Sequence, residues 1–232
     1  MSYLVTLACL LLAYAAVLWL LPRFSRVRLT NAVLAAVTYL SYVTLSLIVY
    51  CDVGFYDWNY QNTLPVANVS PFMFTLVPLI LLLPKRAARP LRLLVSLLSV
   101  AMGISMIVGC VYNAAIGYKL HFHFILDYVA HGALSLWGLY FVISGQVLFT
   151  KRRALASGAI LFGVALLMLC LNLIFDTAFF GLSLTGKHNI YNVVLVESSL
   201  LSAVLYFLGV AGALLLGALA LWGLSRRGKK TS

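Results

Sequence analysis

The sequence predicts an all-α membrane protein, a single domain over residues 1–232 that forms a bundle of seven transmembrane helices. Its 232 residues are 64% hydrophobic and 9% charged, and the mean hydropathy is +1.06. A soluble domain is about half apolar and a quarter charged, so these few charges cannot coat a soluble surface. Because one crossing takes about 20 apolar residues, the chain has room for about seven crossings.

Positive charge is clustered along the chain, and the clusters predict an orientation. The net charge is +11, and every Lys and Arg except Lys119 and Lys187 falls into one of four groups that follow apolar segments. The groups are Arg23, Arg26 and Arg28; Lys85, Arg86, Arg89 and Arg92; Lys151, Arg152 and Arg153; and Arg226, Arg227, Lys229 and Lys230. Basic loops stay in the cytoplasm, which predicts the N-terminus outside and the C-terminus in the cytoplasm. A continuous basic face, and with it a nucleic-acid partner, is excluded.

The first three predicted spans cover residues 2–21, 30–51 and 65–84. No basic residue precedes the first span, which favours a retained helix over a cleaved signal peptide. The second span emerges into an acidic and aromatic loop, and the third ends at the basic cluster that begins with Lys85.

The last four predicted spans cover residues 91–112, 121–150, 154–180 and 191–224. The fifth and seventh end at basic clusters, whereas the loops after the fourth and sixth contain none. This alternation agrees with the positive-inside orientation. The sequence contains no convincing internal repeat, which argues against a transporter built from two related halves.

Polar side chains of several spans are expected at one depth. A helix rises about 1.5 Å per residue, so His131 lies about 30 Å from Lys151, at the outer edge of a hydrocarbon core about 30 Å thick. His123, Asp127 and His131 share one helix face through spacings of four residues. Polar residues of the third, sixth and seventh spans reach a similar or greater height: Asn68, Ser70, Asn172, Asp176 and Glu197. The sequence therefore predicts a polar pocket in the outer leaflet.

His131 and Asp127 are the predicted catalytic pair. A carboxylate one turn from an imidazole can orient the ring and raise its basicity, as a general base requires. Ionisable groups near lipid usually face a cavity, and on this ground four further residues are predicted to line the binding pocket: His123, Asn172, Asp176 and Glu197. The alternative is that these residues cap hydrated helix ends, and that Asn172 joins two helices through hydrogen bonds.

The sequence predicts no metal site and no cofactor. It contains neither an HExxH nor an HxxxH pattern, and its four cysteines (Cys9, Cys51, Cys110 and Cys170) form no CxxC pair. Cys51 and Cys110 fall near outer helix ends, where an oxidising compartment would allow a disulfide. Small packing residues are the simpler interpretation of all four.

Residues 121–132, HFHFILDYVAHG, resemble the YwaF-like family of small integral membrane proteins. In that family one helix begins with a histidine and an aromatic run and continues to a His-Gly pair, a pattern that His121, His131 and Gly132 fit. Three further landmarks are similar, namely Leu64–Pro65, Pro71–Phe72 and the downstream pair Asn172 and Thr177. The resemblance covers about half of the chain, roughly residues 64–180.

Eukaryotic relatives of that family are acyltransferases that move fatty acyl chains between phospholipids with a cysteine nucleophile and a histidine. The resemblance implies that His131 is this histidine. The cysteine is expected between Leu64–Pro65 and Pro71–Phe72, where this chain contains no cysteine and has Ser70 as its one hydroxyl. Ser70 is therefore either a substitute nucleophile or a helix-capping and packing residue.

Two functions of different classes follow. The first is a protein whose outer-leaflet pocket binds or acts on a lipid or lipid-like molecule, by acyl transfer or hydrolysis if it is an enzyme. The alternative is a small transporter or ligand-sensing protein that uses the same His/Asp/Glu cluster, and a third interpretation is an accessory subunit. Membrane lipids are the expected partners, and the expected location is the cell membrane. Span seven also carries a small-residue face for a second copy or a partner membrane subunit, made of Gly209, Ala213 and Gly217.

Overall fold

The computed structural model describes residues 3–51, 69–115, 121–175 and 199–228, and these residues form seven α-helices and no strand. The helices are α1 (Tyr3–Leu20), α2 (Val27–Cys51), α3 (Val69–Leu82), α4 (Lys85–Ala115), α5 (Phe122–Ile143), α6 (Lys151–Phe175) and α7 (Ser199–Gly228). The all-α prediction is confirmed for this part of the chain. Five helices (α1, α2, α4, α5 and α6) are long and apolar enough to cross a membrane, and the apolar parts of α3 and α7 are shorter.

Helix boundaries follow the local sequence. A 3-10 turn at Leu21–Arg23, which contains Pro22, separates α1 from α2. Pro84 separates α3 from α4, and α4 then begins at Lys85, earlier than the predicted start at residue 91. The basic cluster is helical because Lys and Arg are good helix formers, so these charges occupy the first turns of α4 rather than a loop.

The fifth predicted span was too long, because α5 ends at Ile143 and not at residue 150. The Ser144 hydroxyl donates to the Tyr140 carbonyl at 2.6 Å, and Gly145 has a φ of 70°, in the left-handed region that favours glycine. The depth of His131 changes accordingly. It lies about 14 Å from the start and about 18 Å from the end of α5 along the helix axis, near the middle of the helix rather than at the edge of the core.

The central helix of the described bundle is α5. It contacts α1, α2, α4 and α7, and 67% of the residues in its apolar stretch are buried. Trp137, Tyr140 and Phe141 on this helix are almost inaccessible. Aromatic side chains of this size dominate the energetics of a core, so α5 fixes the positions of its neighbours.

Small residues let α4 approach α5 closely. A Cβ on Gly138 would lie 2.7 Å from both the Ser99 Cβ and the Val95 carbonyl oxygen, so any side chain here would force α4 and α5 apart. The Ser96 hydroxyl lies 2.8 Å from the carbonyl oxygen of Gly138 and 2.8 Å from that of Arg92. Close backbone approach combined with serine hydrogen bonds is typical of helices that pack in membranes.

The outer faces of several helices are apolar. Leu12 on α1 and Leu155 and Ile174 on α6 are 70%, 75% and 71% exposed. Extended apolar surface of this kind marks contact with lipid or with another protein. These faces are consistent with the membrane protein that the composition predicts.

The small-residue face of α7 is used in part within the chain. A Cβ on Gly217 would collide with the carbonyl oxygen of Leu97 on α4, and Ala213 packs against the main core. Gly209, by contrast, has open space where a side chain would point. At Gly217 the face is therefore a contact between α4 and α7 rather than a surface for a second subunit.

Candidate functional site

His131 lies on the buried face of α5 and is 8% exposed. The ring of Phe74 on α3 meets the imidazole edge-on, with 5.2 Å between the ring centroids. Tyr42 on α2 stacks on Phe74 with a centroid distance of 4.8 Å. These aromatic rings form an apolar wall, and in such surroundings the hydrogen bonds of the imidazole are strong and costly to lose.

Both ring nitrogens of His131 have partners. Nε2 lies 3.0 Å from Oγ of Ser70 on α3. Nδ1 lies 2.9 Å from the carbonyl oxygen of Asp127 and 3.3 Å from its Oδ1. Because both partners of Nδ1 only accept hydrogen bonds, Nδ1 carries the hydrogen in the neutral ring. Nε2 is then the acceptor, and the Ser70 hydroxyl donates to it.

A hydroxyl, an imidazole and a carboxylate thus stand in the order of a Ser-His-Asp triad. The distance from Ser70 to His131 falls within the range of about 2.6–3.2 Å that joins a nucleophile to its general base. One feature differs from that template, since the backbone carbonyl of Asp127 is nearer to Nδ1 than its carboxylate is. The backbone therefore helps to hold the tautomer, and the carboxylate, whose side chain is 40% exposed, remains partly open to solvent.

Ser70 is positioned by the first turn of α3, where it is half-buried. Its Oγ also lies 3.9 Å from the Met102 sulfur on α4, a weaker partner than an imidazole nitrogen. Ser70 is the second residue of α3, so it lies at the positive end of the helix dipole. The Ser70 hydroxyl therefore lies where negative charge on a neighbouring oxygen is stabilised.

An apolar groove of about 530 Å³ reaches Val69, the residue before Ser70. Its other walls are apolar side chains of α6 and α7, among them Leu161, Phe162, Ala165, Val204, Leu208 and Leu214. This volume falls within the range of small-molecule sites. Because its walls are almost entirely aliphatic and aromatic, the groove suits a hydrocarbon chain better than a polar solute.

The other predicted site residues are distributed differently. His123 is 5% exposed, and its ring lies 5.4 Å from that of His121 and 4.2 Å from that of Phe124 between centroids. It lies about 12 Å from His131 along the axis of α5, so it is not part of the contact with Ser70. Asn172 is buried near the C-terminal end of α6. Several further predicted residues lie outside the described part of the chain: Leu64, Pro65, Asn68, Asp176, Thr177 and Glu197.

Sequence reasoning missed the aromatic wall and the groove. Phe74, Tyr42 and the groove residues belong to generic apolar segments and carry no motif that would distinguish them from core. The available signal was Ser70 itself, a hydroxyl in the interval where the family resemblance requires a nucleophile.

The cysteines are not part of this site. Cys9, Cys51 and Cys170 are exposed free thiols and Cys110 is a buried one, so Cys51 and Cys110 are not bridged. In the ranges that the structure describes, no three His, Cys, Asp or Glu side chains come together in a way that could hold a metal ion.

Comparison with known proteins yields no relative. No family model, no curated protein and no solved structure matches the chain. The resemblance of residues 121–132 to the YwaF-like family therefore gains no support from these comparisons, and a function has to be argued from the site.

Proposed function

We propose that this protein is an integral membrane enzyme that transfers or hydrolyses the acyl group of a lipid ester, with Ser70 as nucleophile and His131 as general base. The observation that carries the proposal is the 3.0 Å contact between the Ser70 hydroxyl and Nε2 of His131, backed by Asp127 on Nδ1. A second support is the apolar groove that reaches Val69, the residue before Ser70, because its lining suits an acyl chain.

In the first half of the reaction, Oγ of Ser70 forms a bond to the ester carbonyl carbon while Nε2 of His131 takes the hydroxyl proton. The positive end of the α3 helix dipole stabilises the negative charge that develops on the carbonyl oxygen. The bond from the carbonyl carbon to the leaving oxygen then breaks, and Nε2 returns its proton to that oxygen. The products of this half are a lyso-lipid or alcohol and an acyl ester of Ser70.

In the second half, water or the hydroxyl of another lipid attacks the acyl-serine. His131 takes the proton of the attacking hydroxyl and returns it to Ser70 Oγ as the ester bond breaks. Water gives a free fatty acid, whereas a lipid hydroxyl gives an acylated lipid. Asp127 stabilises the imidazolium in both halves through its carboxylate.

The proposed topology is the seven-span arrangement with the N-terminus outside and the C-terminus in the cytoplasm. Five helices have the length for crossing, and the basic clusters at Arg23–Arg28, Lys85–Arg92 and Lys151–Arg153 follow the positive-inside rule. In this arrangement the N-terminal half of α5 lies in the outer leaflet, which places Asp127 about 8 Å and His131 about 14 Å below the outer end of the helix.

Labelling with an impermeant thiol reagent tests the topology in intact cells. Cysteines introduced as Trp58→Cys and Lys187→Cys, in a chain without its natural cysteines, are expected to react from outside. Arg153→Cys is expected to react only after permeabilisation. The reverse pattern contradicts the orientation and with it the outer-leaflet position of the site.

A fluorophosphonate probe tests the nucleophile directly. An activated serine oxygen displaces fluoride from the probe and forms a stable bond to phosphorus, so the purified protein is expected to be labelled at Ser70, as identified by peptide mass spectrometry. Ser70→Ala is expected to remove labelling. Ser46→Ala is the matched control, because the Ser46 hydroxyl donates to a carbonyl of its own helix at 2.9 Å and contacts none of the imidazoles within the described ranges.

Acyl turnover is measured on the same samples with phospholipid in mixed micelles, as released fatty acid and as acyl chains moved to a lyso-lipid. We expect the parent and Ser46→Ala to be active and Ser70→Ala to be inactive at equal thermal stability. Labelling and turnover that persist in Ser70→Ala contradict the assignment. A parent with neither activity favours the transporter or ligand-sensing alternative for the same side chains.

A further inference from the structure

A second cleft lies past the opposite end of α5, remote from Ser70. It has a volume of about 360 Å³ and is formed by the N-terminal parts of α4 and α6 together with the chain that follows α5. Arg89 on α4 and Arg153 on α6 both line it, and both are exposed. Two basic clusters that are far apart in the sequence therefore meet at one cavity.

No described carboxylate balances the two guanidinium groups. Asp127 is the only acidic residue within the described ranges, and it lies about 24 Å from the end of α5 along the helix axis. Arg153 also lies in the first turn of α6, where the helix dipole adds to the positive potential. The cleft therefore favours an anion.

The walls of the cleft are held in place by hydrogen bonds between elements. The Ser157 hydroxyl on α6 donates to the Pro90 carbonyl on α4 at 3.1 Å, which ties the two basic helix ends together. Gln146 is fixed from the other side, since its side-chain nitrogen donates to Ser144 Oγ at 2.7 Å and its oxygen accepts from the Asn31 amide at 2.9 Å. The distance between the two basic helix ends is thus set by the fold.

The cleft is also amphipathic. Leu93, Val147 and Leu148 line it beside the arginines, and Leu148 is 66% exposed. Apolar side chains directly next to two cations match a molecule with an anionic head and a hydrocarbon body. A small hydrophilic anion would gain nothing from this part of the wall.

We propose that this cleft binds a phosphate group, carried by an anionic phospholipid headgroup or free in solution, between Arg89 and Arg153. Guanidinium groups form bidentate hydrogen bonds with phosphate oxygens. Basic pockets between helices on the cytoplasmic side bind anionic lipid headgroups. The inference rests on insertion of the chain in a membrane, which belongs to the proposed function, but not on the chemistry at Ser70.

Native mass spectrometry of the purified full chain tests the proposal, with an equimolar mixture of phosphatidylglycerol and phosphatidylcholine as the probe. We expect one phosphatidylglycerol molecule to be retained with a preference of about tenfold or more, since a basic residue at a membrane surface contributes about 1 kcal/mol toward an anionic lipid. Arg89→Gln combined with Arg153→Gln is expected to abolish this preference.

Arg86→Gln combined with Arg152→Gln is the matched control. It removes the same charge from the same two clusters, at exposed residues that do not line the cleft, and it is expected to keep the preference. Arg89→Lys combined with Arg153→Lys keeps the charge and is expected to retain part of it. Equal thermal stability of all the variants shows that folding is not what changed.

Equilibrium dialysis with labelled inorganic phosphate, in detergent without lipid, distinguishes the two sources. Phosphate binding that depends on Arg89 and Arg153, without a preference for phosphatidylglycerol, identifies a free anion as the ligand. A lipid preference that phosphate competes for weakly identifies the headgroup. The proposal is overturned if neither probe binds, or if both double Gln variants lose binding equally, because diffuse surface charge then explains the effect. Loss of acyl turnover in Ser70→Ala alone leaves these results unchanged, so the two proposals fail independently.

Discussion

The polar side chains in the two halves of α5 have different kinds of hydrogen-bond partners. In the C-terminal half, Ser135 meets the Tyr14 hydroxyl at 2.8 Å, Trp137 donates to Asn31 at 3.1 Å, and Tyr140 donates to the Phe24 carbonyl at 2.8 Å. In the N-terminal half, the hydrogen-bonded chain runs from Asp127 through His131 to Ser70. It starts at a carboxylate that is partly exposed and ends at the hydroxyl of Ser70, whose neighbour Val69 lines an apolar groove.

If the proposed function is correct, one half of α5 serves packing and the other half carries the reactive groups. A buried polar group in an apolar protein has to be paired, because leaving it without a partner costs about 1–3 kcal/mol. The pairs of the C-terminal half are neutral and join α5 to α1, α2 and the turn between them, which is all that packing requires. The hydrogen-bonded series in the N-terminal half contains an imidazole and a carboxylate. These groups are more costly to bury than the neutral groups, and packing alone does not need them.

The largest expected effect is that of His131→Gln. The amide can still bond to Ser70 but cannot take its proton, so acyl turnover is expected to fall by about 10²- to 10⁴-fold. Thermal stability in detergent should change little, since the side chain remains polar and of similar length. The measurement is the initial rate per folded protein, with folding checked by size-exclusion chromatography. An unchanged rate would show that the hydrogen bonds from Asp127 through His131 to Ser70 serve packing, like those in the other half of α5.

Asp127→Asn is expected to reduce turnover by less, at most about 10²-fold. The substitution removes the charge that stabilises the imidazolium, but the Asp127 backbone carbonyl still accepts the Nδ1 hydrogen at 2.9 Å. The tautomer is therefore preserved, unlike in sites where the carboxylate alone sets it. The same rate assay decides the matter. A loss as large as that of His131→Gln would show that the carboxylate, and not the carbonyl, orients the ring.

Gly138→Ala tests the packed half and is expected to act on stability alone. The new methyl group would press on Ser99 and on the Val95 carbonyl, and overpacking of this kind costs about 1–3 kcal/mol. For a chain of this size that corresponds to a melting temperature lower by about 2–12 °C. Turnover per folded molecule should remain that of the parent.

Gly163→Ala on α6 is the matched control for Gly138→Ala. No atom lies within 4 Å of the position that its Cβ would take, and alanine is the better helix former by up to about 1 kcal/mol. An equal or higher melting temperature is therefore expected. If both variants melt alike, the close approach of α4 to α5 does not limit stability.

The all-α fold could be predicted because helix length and apolar composition are properties of short segments. Its boundaries were less predictable. The end of α5 depends on the Ser144 cap and on Gly145 in the left-handed conformation. Hydropathy detects neither feature, because the residues up to Thr150 remain apolar enough to extend a span. Because of this error His131 was predicted at the edge of the hydrocarbon core, whereas it lies near the middle of α5.

Part of the candidate site could also be predicted. The spacing of Asp127 and His131 places them on one helix face, and they are indeed in contact. Spacing could not predict the contact of Ser70 with His131, because Ser70 lies on another helix and the contact depends on how α3 packs against α5. The cleft between Arg89 and Arg153 was hidden for the same reason, since both residues were predicted only as topology signals.

The smallest expected effect is that of Tyr140→Phe. The ring is 1% exposed and stays in place, so the substitution removes only the hydrogen bond to the Phe24 carbonyl. That carbonyl lies in the turn between α1 and α2 beside an exposed side chain, where water can replace the lost donor. A single hydrogen bond between helices contributes about 0.6 kcal/mol in a membrane protein, which corresponds to about 1–2 °C in melting temperature. Tyr112→Phe, at a side chain that is 57% exposed, should not shift it at all. A decrease of turnover in Tyr140→Phe would break the contrast between the two halves, because a closed pair far from Ser70 should leave the chemistry of His131 untouched.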